Sequence, residues 1–111
     1  MQPQALRAGW WTFRSLRRVR SQLRAGRLED VALAPPPRLG AGAQRGFEAV
    51  LRRSTATCLE RSLVRQTWLA ARGETRDLVI GVTAPAAGFR AHAWLEGESD
   101  GEFDELLRLS P

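Results

Sequence analysis

Between residues 4 and 25, apolar side chains fall at Leu6, Trp10, Phe13, Leu16, Val19 and Leu23. Steps of three and four are the period of a helix with one apolar face, so the spacing predicts an amphipathic helix whose stripe packs on the core. Trp11 lies off that stripe, and Arg14, Arg17, Arg18 and Arg24 occupy much of the remaining circumference. Gly26 follows as a C-cap, and residues 28–33 are too short a run to assign. Pro35, Pro36 and Pro37 then force an extended, rigid spacer, because each ring fixes φ and removes a donor. A second helix is expected over 41–53, with Ala43, Phe47, Val50 and Leu51 on one side and Gly42 and Gly46 weakening it.

The third helix has the clearest start in the chain. Thr57 and Glu60 stand in the T-x-x-E arrangement, in which the threonine side chain accepts from the Glu60 N–H and the glutamate reaches back. Cys58 is therefore the first residue inside this helix. Leu59, Leu63, Val64, Trp68, Leu69 and Ala71 give it a wide apolar surface, and Arg72 and Gly73 close it. Residues 77–83 are β-branched and apolar and read as a strand buried on both faces. A loop at 84–88 contains Pro85. Residues 89–96 alternate, with Phe89, Ala91, Ala93 and Leu95 on one face and Arg90, His92, Trp94 and Glu96 on the other. Turn residues at 97–101 precede a third strand over 102–109, although 105–108 would also suit a short helix. The order is three helices and then three strands, an α+β class, with no internal repeat.

The length of 111 residues implies one domain. Residues 1–37 form its basic helix and proline spacer, and 38–111 the remainder. All 17 basic residues are arginine, and Arg7, Arg14, Arg17, Arg18, Arg20, Arg24 and Arg27 precede the first acid. The opposite end is acidic, with Glu96, Glu98, Asp100, Glu102, Asp104 and Glu105 close together. This asymmetry leaves a partner protein, an acidic peptide or lipid headgroups open as contacts of the first helix. Its simplest reading is still a core helix with solvated arginines. Nucleic-acid binding has no accompanying signature and is not expected. A lone cysteine allows no internal disulfide, and neither a membrane-length apolar run nor a secretory h-region is present, so the expected location is cytoplasmic. No P-loop, G-x-G-x-x-G or zinc-type spacing occurs, and neither cofactor nor metal is expected.

The candidate chemistry is one thiol and one imidazole. Cys58 at a helix N-terminus faces unpaired N–H groups and the positive end of the dipole, both of which favour a thiolate, and those N–H groups suit an oxyanion. Against this stands the ordinary role of an unpaired cysteine, a small buried hydrophobe. His92 is 34 residues further on, mid-strand, where a hydrogen-bonded structural imidazole is the commoner role. A third group would have to orient its ring. If the last two strands form a hairpin around residues 97–101, same-face partners of His92 lie an even number of residues away, which favours Asp104. Glu105 would need a bulge, and Asp100 falls in the turn.

Three runs, Cys58-Leu59-Glu60-Arg61-Ser62-Leu63, Asp77-Leu78-Val79-Ile80-Gly81-Val82 and Gly88-Phe89-Arg90-Ala91-His92-Ala93-Trp94-Leu95-Glu96, resemble the transglutaminase-like leader peptidase of lasso-peptide biosynthesis. The resemblance covers about half the chain, from Ser54 onward. It implies a papain-like core in which Cys58 is the nucleophile, His92 the base and Asp104 the orienting acid. It also implies hydrolysis of the leader from a ribosomally made lasso precursor peptide, with a small leader-recognition protein (the RiPP recognition element) as partner. A separate ATP-dependent cyclase then closes the macrolactam and is a further candidate partner. The reading of a different class is a non-enzymatic basic adaptor, with Cys58 structural and the first helix binding a partner or nucleic acid.

Overall fold

The computed structural model describes residues 3–38, 40, 42–83, 90–98 and 103–111. Helices α1 (Pro3–Ala25), α2 (Ala43–Arg53) and α3 (Cys58–Ala71) precede strands β1 (Leu78–Val82), β2 (Ala91–Leu95) and β3 (Asp104–Leu109). The expected order of three helices and three strands, and with it the α+β class, is what the chain adopts. The expected loop at 84–88, the start of the second strand at Phe89 and the turn residues 99–101 lie outside the described residues.

The core is built where the helices meet the sheet. Trp11, Phe47 and Trp68, one ring from each helix, form an aromatic cluster, with Phe47 and Trp68 stacked at 4.5 Å and Trp11 and Trp68 at 5.7 Å. Both indole N–H groups are satisfied: Trp11 Nε1 donates to the Ala34 carbonyl at 3.1 Å and Trp68 Nε1 to Gln44 Oε1 at 2.8 Å. Leu63, Val64, Leu78 and Leu95 continue the core from α3 into the sheet.

The buried face of α1 differs from the predicted stripe. Leu16 and Val19 are buried as expected, but Leu6, Trp10 and Phe13 are exposed, and Ala5, Ala8, Trp11, Thr12 and Ser15 take their place. The cause is the close crossing of α1 over α2. A Cβ at Gly46 would lie 1.8 Å from the Ala5 carbonyl oxygen, so only small residues fit between the two helices. Thr12 is tolerated there because its hydroxyl donates to the Ala8 carbonyl at 2.8 Å. Gly46 is thus a packing requirement and not a weak point, while Gly42 stands outside α2 as its N-cap, at φ 95°.

After α1 the chain makes a single 3-10 turn (Leu28–Asp30) and returns along the helix. Gln22 holds this return by a pair of hydrogen bonds to the N–H and carbonyl of Ala32. Gly26 follows the last residue of α1, as expected, but does not take the left-handed conformation. Gly73 does, at φ 86°. The N–H groups of Gly73 and Glu74 close α3 onto the carbonyls of Ala70 and Leu69, the paired bonds of a Schellman ending.

The sheet is antiparallel in the order β2-β1-β3. The hairpin expected between the last two strands is therefore absent: β1 lies between them. The reason is burial. Leu78 and Val79 of β1 are both inaccessible, so this strand needs neighbours on either edge, whereas β3 carries Asp104, Glu105 and Arg108 and suits a margin. Gln66 of α3 fastens the assembly, donating to the carbonyls of Arg76 and Leu109.

Candidate functional site

Both halves of the expected capping box form at the start of α3. Glu60 N–H donates to Thr57 Oγ1 at 3.2 Å, and Thr57 N–H donates to Glu60 Oε1 at 2.9 Å. The Glu60 carboxylate is almost wholly buried, and Arg20 of α1 supplies its counter-charge through two hydrogen bonds, Nε to Oε2 at 3.2 Å and Nη2 to Oε1 at 3.3 Å. Arg20 is the main cause holding the Glu60 carboxyl below the usual range, against the opposing effect of burial, with the Thr57 N–H adding to it. A second arginine fixes the segment just before the helix: Arg61 donates to the carbonyls of Ala56 at 3.2 Å and Ser54 at 2.9 Å. The backbone leading into Cys58 is thus held by two guanidinium groups, Arg61 directly and Arg20 through Glu60.

Cys58 is exposed as the first residue of α3. One turn later, on the same helix face, Ser62 donates to the carbonyl of Ala93 at 3.4 Å, docking α3 on β2 beside His92. Cys58 and His92 line one cleft of about 510 Å³, together with Arg61, Arg65, Trp94 and Glu98. Arg65 and Glu98 form an ion pair of 2.6 Å within it. The half-buried imidazole lies against two rings, Trp94 at 5.8 Å with planes 19° apart and Phe103 at 5.2 Å. Alternation along the strand puts Trp94 on the face of His92, as the structure has it. Phe103, just before β3, carried no such signal, because its approach depends on how β3 joins the sheet.

The third position is arranged differently from the hairpin expectation. His92 pairs with Gly81, and Gly81 on its other side pairs with Glu105, across a register shift between Ile80 and Gly81. Asp104 pairs with Val82, in the row of Ala91, and so belongs to the opposite face of the sheet from His92. Glu105 shares the face of His92 but is two strands away. The Trp94 ring covers Gly81 between them, its Cη2 only 2.7 Å from where a glycine Cβ would stand. The Glu105 carboxylate is engaged by Arg108, whose guanidinium holds its carboxyl below the usual range. Arg108 also binds Glu96 and Asp77, knitting the three strands at one end. The structure thus brings Cys58 and His92 to one cleft and leaves Asp104 and Glu105 outside it. Asp100 lies outside the described residues.

Among the described residues no three of His, Cys, Asp and Glu converge as a metal-binding set. No helix among them is long and apolar enough to cross a membrane.

In a comparison with known families, a family model described as the transglutaminase-like superfamily aligns with residues 5–105. Comparisons with curated proteins and with solved structures gave no match.

Proposed function

The chain belongs to the transglutaminase-like superfamily, which includes cysteine peptidases, and we propose that it is the cysteine peptidase that removes the leader from a lasso-peptide precursor. The observation that supports this reading is the shared cleft of Cys58 and His92 at a capped helix N-terminus.

In the proposed reaction His92 takes the thiol proton, and the Cys58 sulfur attacks the carbonyl carbon of the leader-core bond. The Glu60 N–H is already taken by Thr57 Oγ1 and that of Arg61 by the Thr57 carbonyl, which leaves the N–H groups of Cys58 and Leu59 for the developing oxyanion. The C–N bond breaks as His92 returns the proton to the leaving amine, which becomes the N-terminus of the core. Water, deprotonated by His92, then hydrolyses the thioester, giving the leader carboxylate and restoring the thiol. In this reading the core fold is papain-like, a leader-recognition protein presents the precursor, and an ATP-dependent cyclase consumes the released amine. The resemblance points to Asp104 as the orienting acid; the rings of Trp94 and Phe103 lie against the imidazole and restrict its tilt.

Leader removal from a precursor, followed by mass spectrometry with the recognition protein present, tests the assignment. Cys58→Ala and His92→Ala are expected to lose about a thousandfold or more in kcat/KM while remaining folded. Asp104→Asn is expected to stay within about threefold, since only its loss of charge on the far face would be felt. Undiminished cleavage by either of the first two variants would sink the peptidase reading. A product heavier by a bound amine would instead mark acyl transfer by the same dyad.

A further inference from the structure

Leu6, Trp10 and Phe13 are 57, 61 and 44% exposed, and Trp10 and Phe13 stack on each other at 5.8 Å. They form one wall of an apolar groove of about 720 Å³ between α1 and α2, floored by Gly9, Gly46 and Val50. Arg17, Arg20 and Arg53 stand on its rim, and no carboxylate lines it among the described residues. One end of the groove is formed by residues 54–56, the segment that runs directly into Cys58.

We propose that this groove is the docking surface for an amphipathic segment of a partner protein, one with apolar side chains on one face and carboxylates beside them. Two observations fix the occupant. The charged side chains of the rim are all cationic, and with Arg20 already paired to Glu60 it is Arg17 and Arg53 that offer positive charge, so the complementary ligand is acidic. The apolar floor lies below the aromatic wall, a concavity that a peptide side chain can fill and a flat bilayer surface cannot follow. A polyphosphate backbone would satisfy the arginines and leave the floor uncovered. The groove end at residues 54–56 brings the docked segment next to the strand of chain that carries the nucleophile. This docking stands on the groove alone and holds whether or not Cys58 is catalytic.

The test uses the intact chain and a fluorescein-labelled synthetic helix bearing leucines on one face and glutamates beside them, read by anisotropy. Saturable binding that weakens with salt is expected, with Trp10→Ala and Phe13→Ala each weakening it by about tenfold or more. Arg17→Glu is expected to weaken it as well. Equal binding of a lysine-bearing analogue, or indifference to Trp10→Ala and Phe13→Ala, overturns the proposal. So does binding to phosphatidylglycerol vesicles in place of the peptide, or self-association of the chain that Trp10→Ala abolishes.

A different observation carries a second inference. Arg20 meets Glu60 through two hydrogen bonds, and the same Glu60 oxygen that receives Arg20 Nη2 receives the N–H of Thr57, the residue before Cys58. We infer that Arg20 is a positioning residue for Cys58, acting through Glu60 from a different helix. Its bearing on catalysis rests on the peptidase reading, so the test reads the thiol and not cleavage. The rate of Cys58 alkylation by iodoacetamide at neutral pH is expected to change by about twofold or more in Arg20→Met, the lower end of coupling within one hydrogen-bond network. The same substitution in a Glu60→Gln background is expected to add nothing. An unchanged rate in Arg20→Met, or effects that simply add in the double variant, overturns the inference. Should Arg20→Met not fold, Arg20→Lys carries the same cycle, since lysine keeps the charge and loses the two-pronged contact.

Discussion

The N-terminus of α3 and the groove beside α1 place aromatic, basic and polar side chains within a few turns of each other and organise them in opposite ways. At α3 the polar groups are paired: Thr57 and Glu60 bond reciprocally, Arg61 holds residues 54 and 56, and Arg20 neutralises the buried carboxylate. At the groove the largest apolar side chains of α1 face outward and the small ones face in. The first region is settled by interactions three to seven residues apart and closed by one long-range contact. The second is settled by how close two backbones must come. A helix face is therefore chosen by the space available to it as much as by its hydrophobicity.

That contrast can be broken most forcefully at the helix crossing. Gly46→Val should destabilise the chain by about 3 kcal/mol or more, because its Cβ would overlap the Ala5 carbonyl and neither backbone can yield alone. Trp11→Ala should cost about 3–5 kcal/mol by opening the aromatic cluster. Urea unfolding of the two variants checks both, and a near-neutral result at either position would mean that α1 packs by its aromatic stripe after all. Thr57→Ala should cost about 1 kcal/mol, the usual worth of an N-cap. Glu60 provides a pH signature of the same region. Its folded pKa is depressed by Arg20, so the stability it contributes is present above its ordinary carboxyl range and is lost as pH falls from about 4.5 through the folded value. Glu60→Gln should accordingly flatten the acid limb of a plot of melting temperature against pH. The smallest effect belongs to Trp10→Ala, expected within about 0.5 kcal/mol of the parent, since its ring is already in water.

Much of the site's frame was legible because it is local. A T-x-x-E box specifies partners three residues apart, and alternation along 89–96 specifies the face of His92 and Trp94 without knowledge of any other strand. The failures share one cause, which is that the deciding contact lay far away in sequence. The expected hairpin assumed that adjacent strands pair, yet Leu78 and Val79, buried on opposite faces, already required β1 at the centre of the sheet. Placing β1 there moves Asp104 to the other face and brings Phe103 to the imidazole. Likewise, periodicity weighs Leu6, Trp10 and Phe13 by their hydrophobicity and gives no weight to Ala5, Ala8 and Gly9, whose smallness lets α2 approach. The Arg20 to Glu60 contact spans 40 residues and has no signature in either segment alone.

The aromatic cluster draws one ring from each helix, and this sets an order in time. During synthesis Trp11 emerges first and Phe47 next, and neither finds Trp68 until most of α3 has left the ribosome. Until then the cluster has only Trp11 and Phe47, 6.5 Å apart in the folded chain, and lacks the ring against which both of them pack. The interval between residues 11 and 68 is thus one in which the cluster stays incomplete and its apolar faces stay open to aggregation and to chaperones.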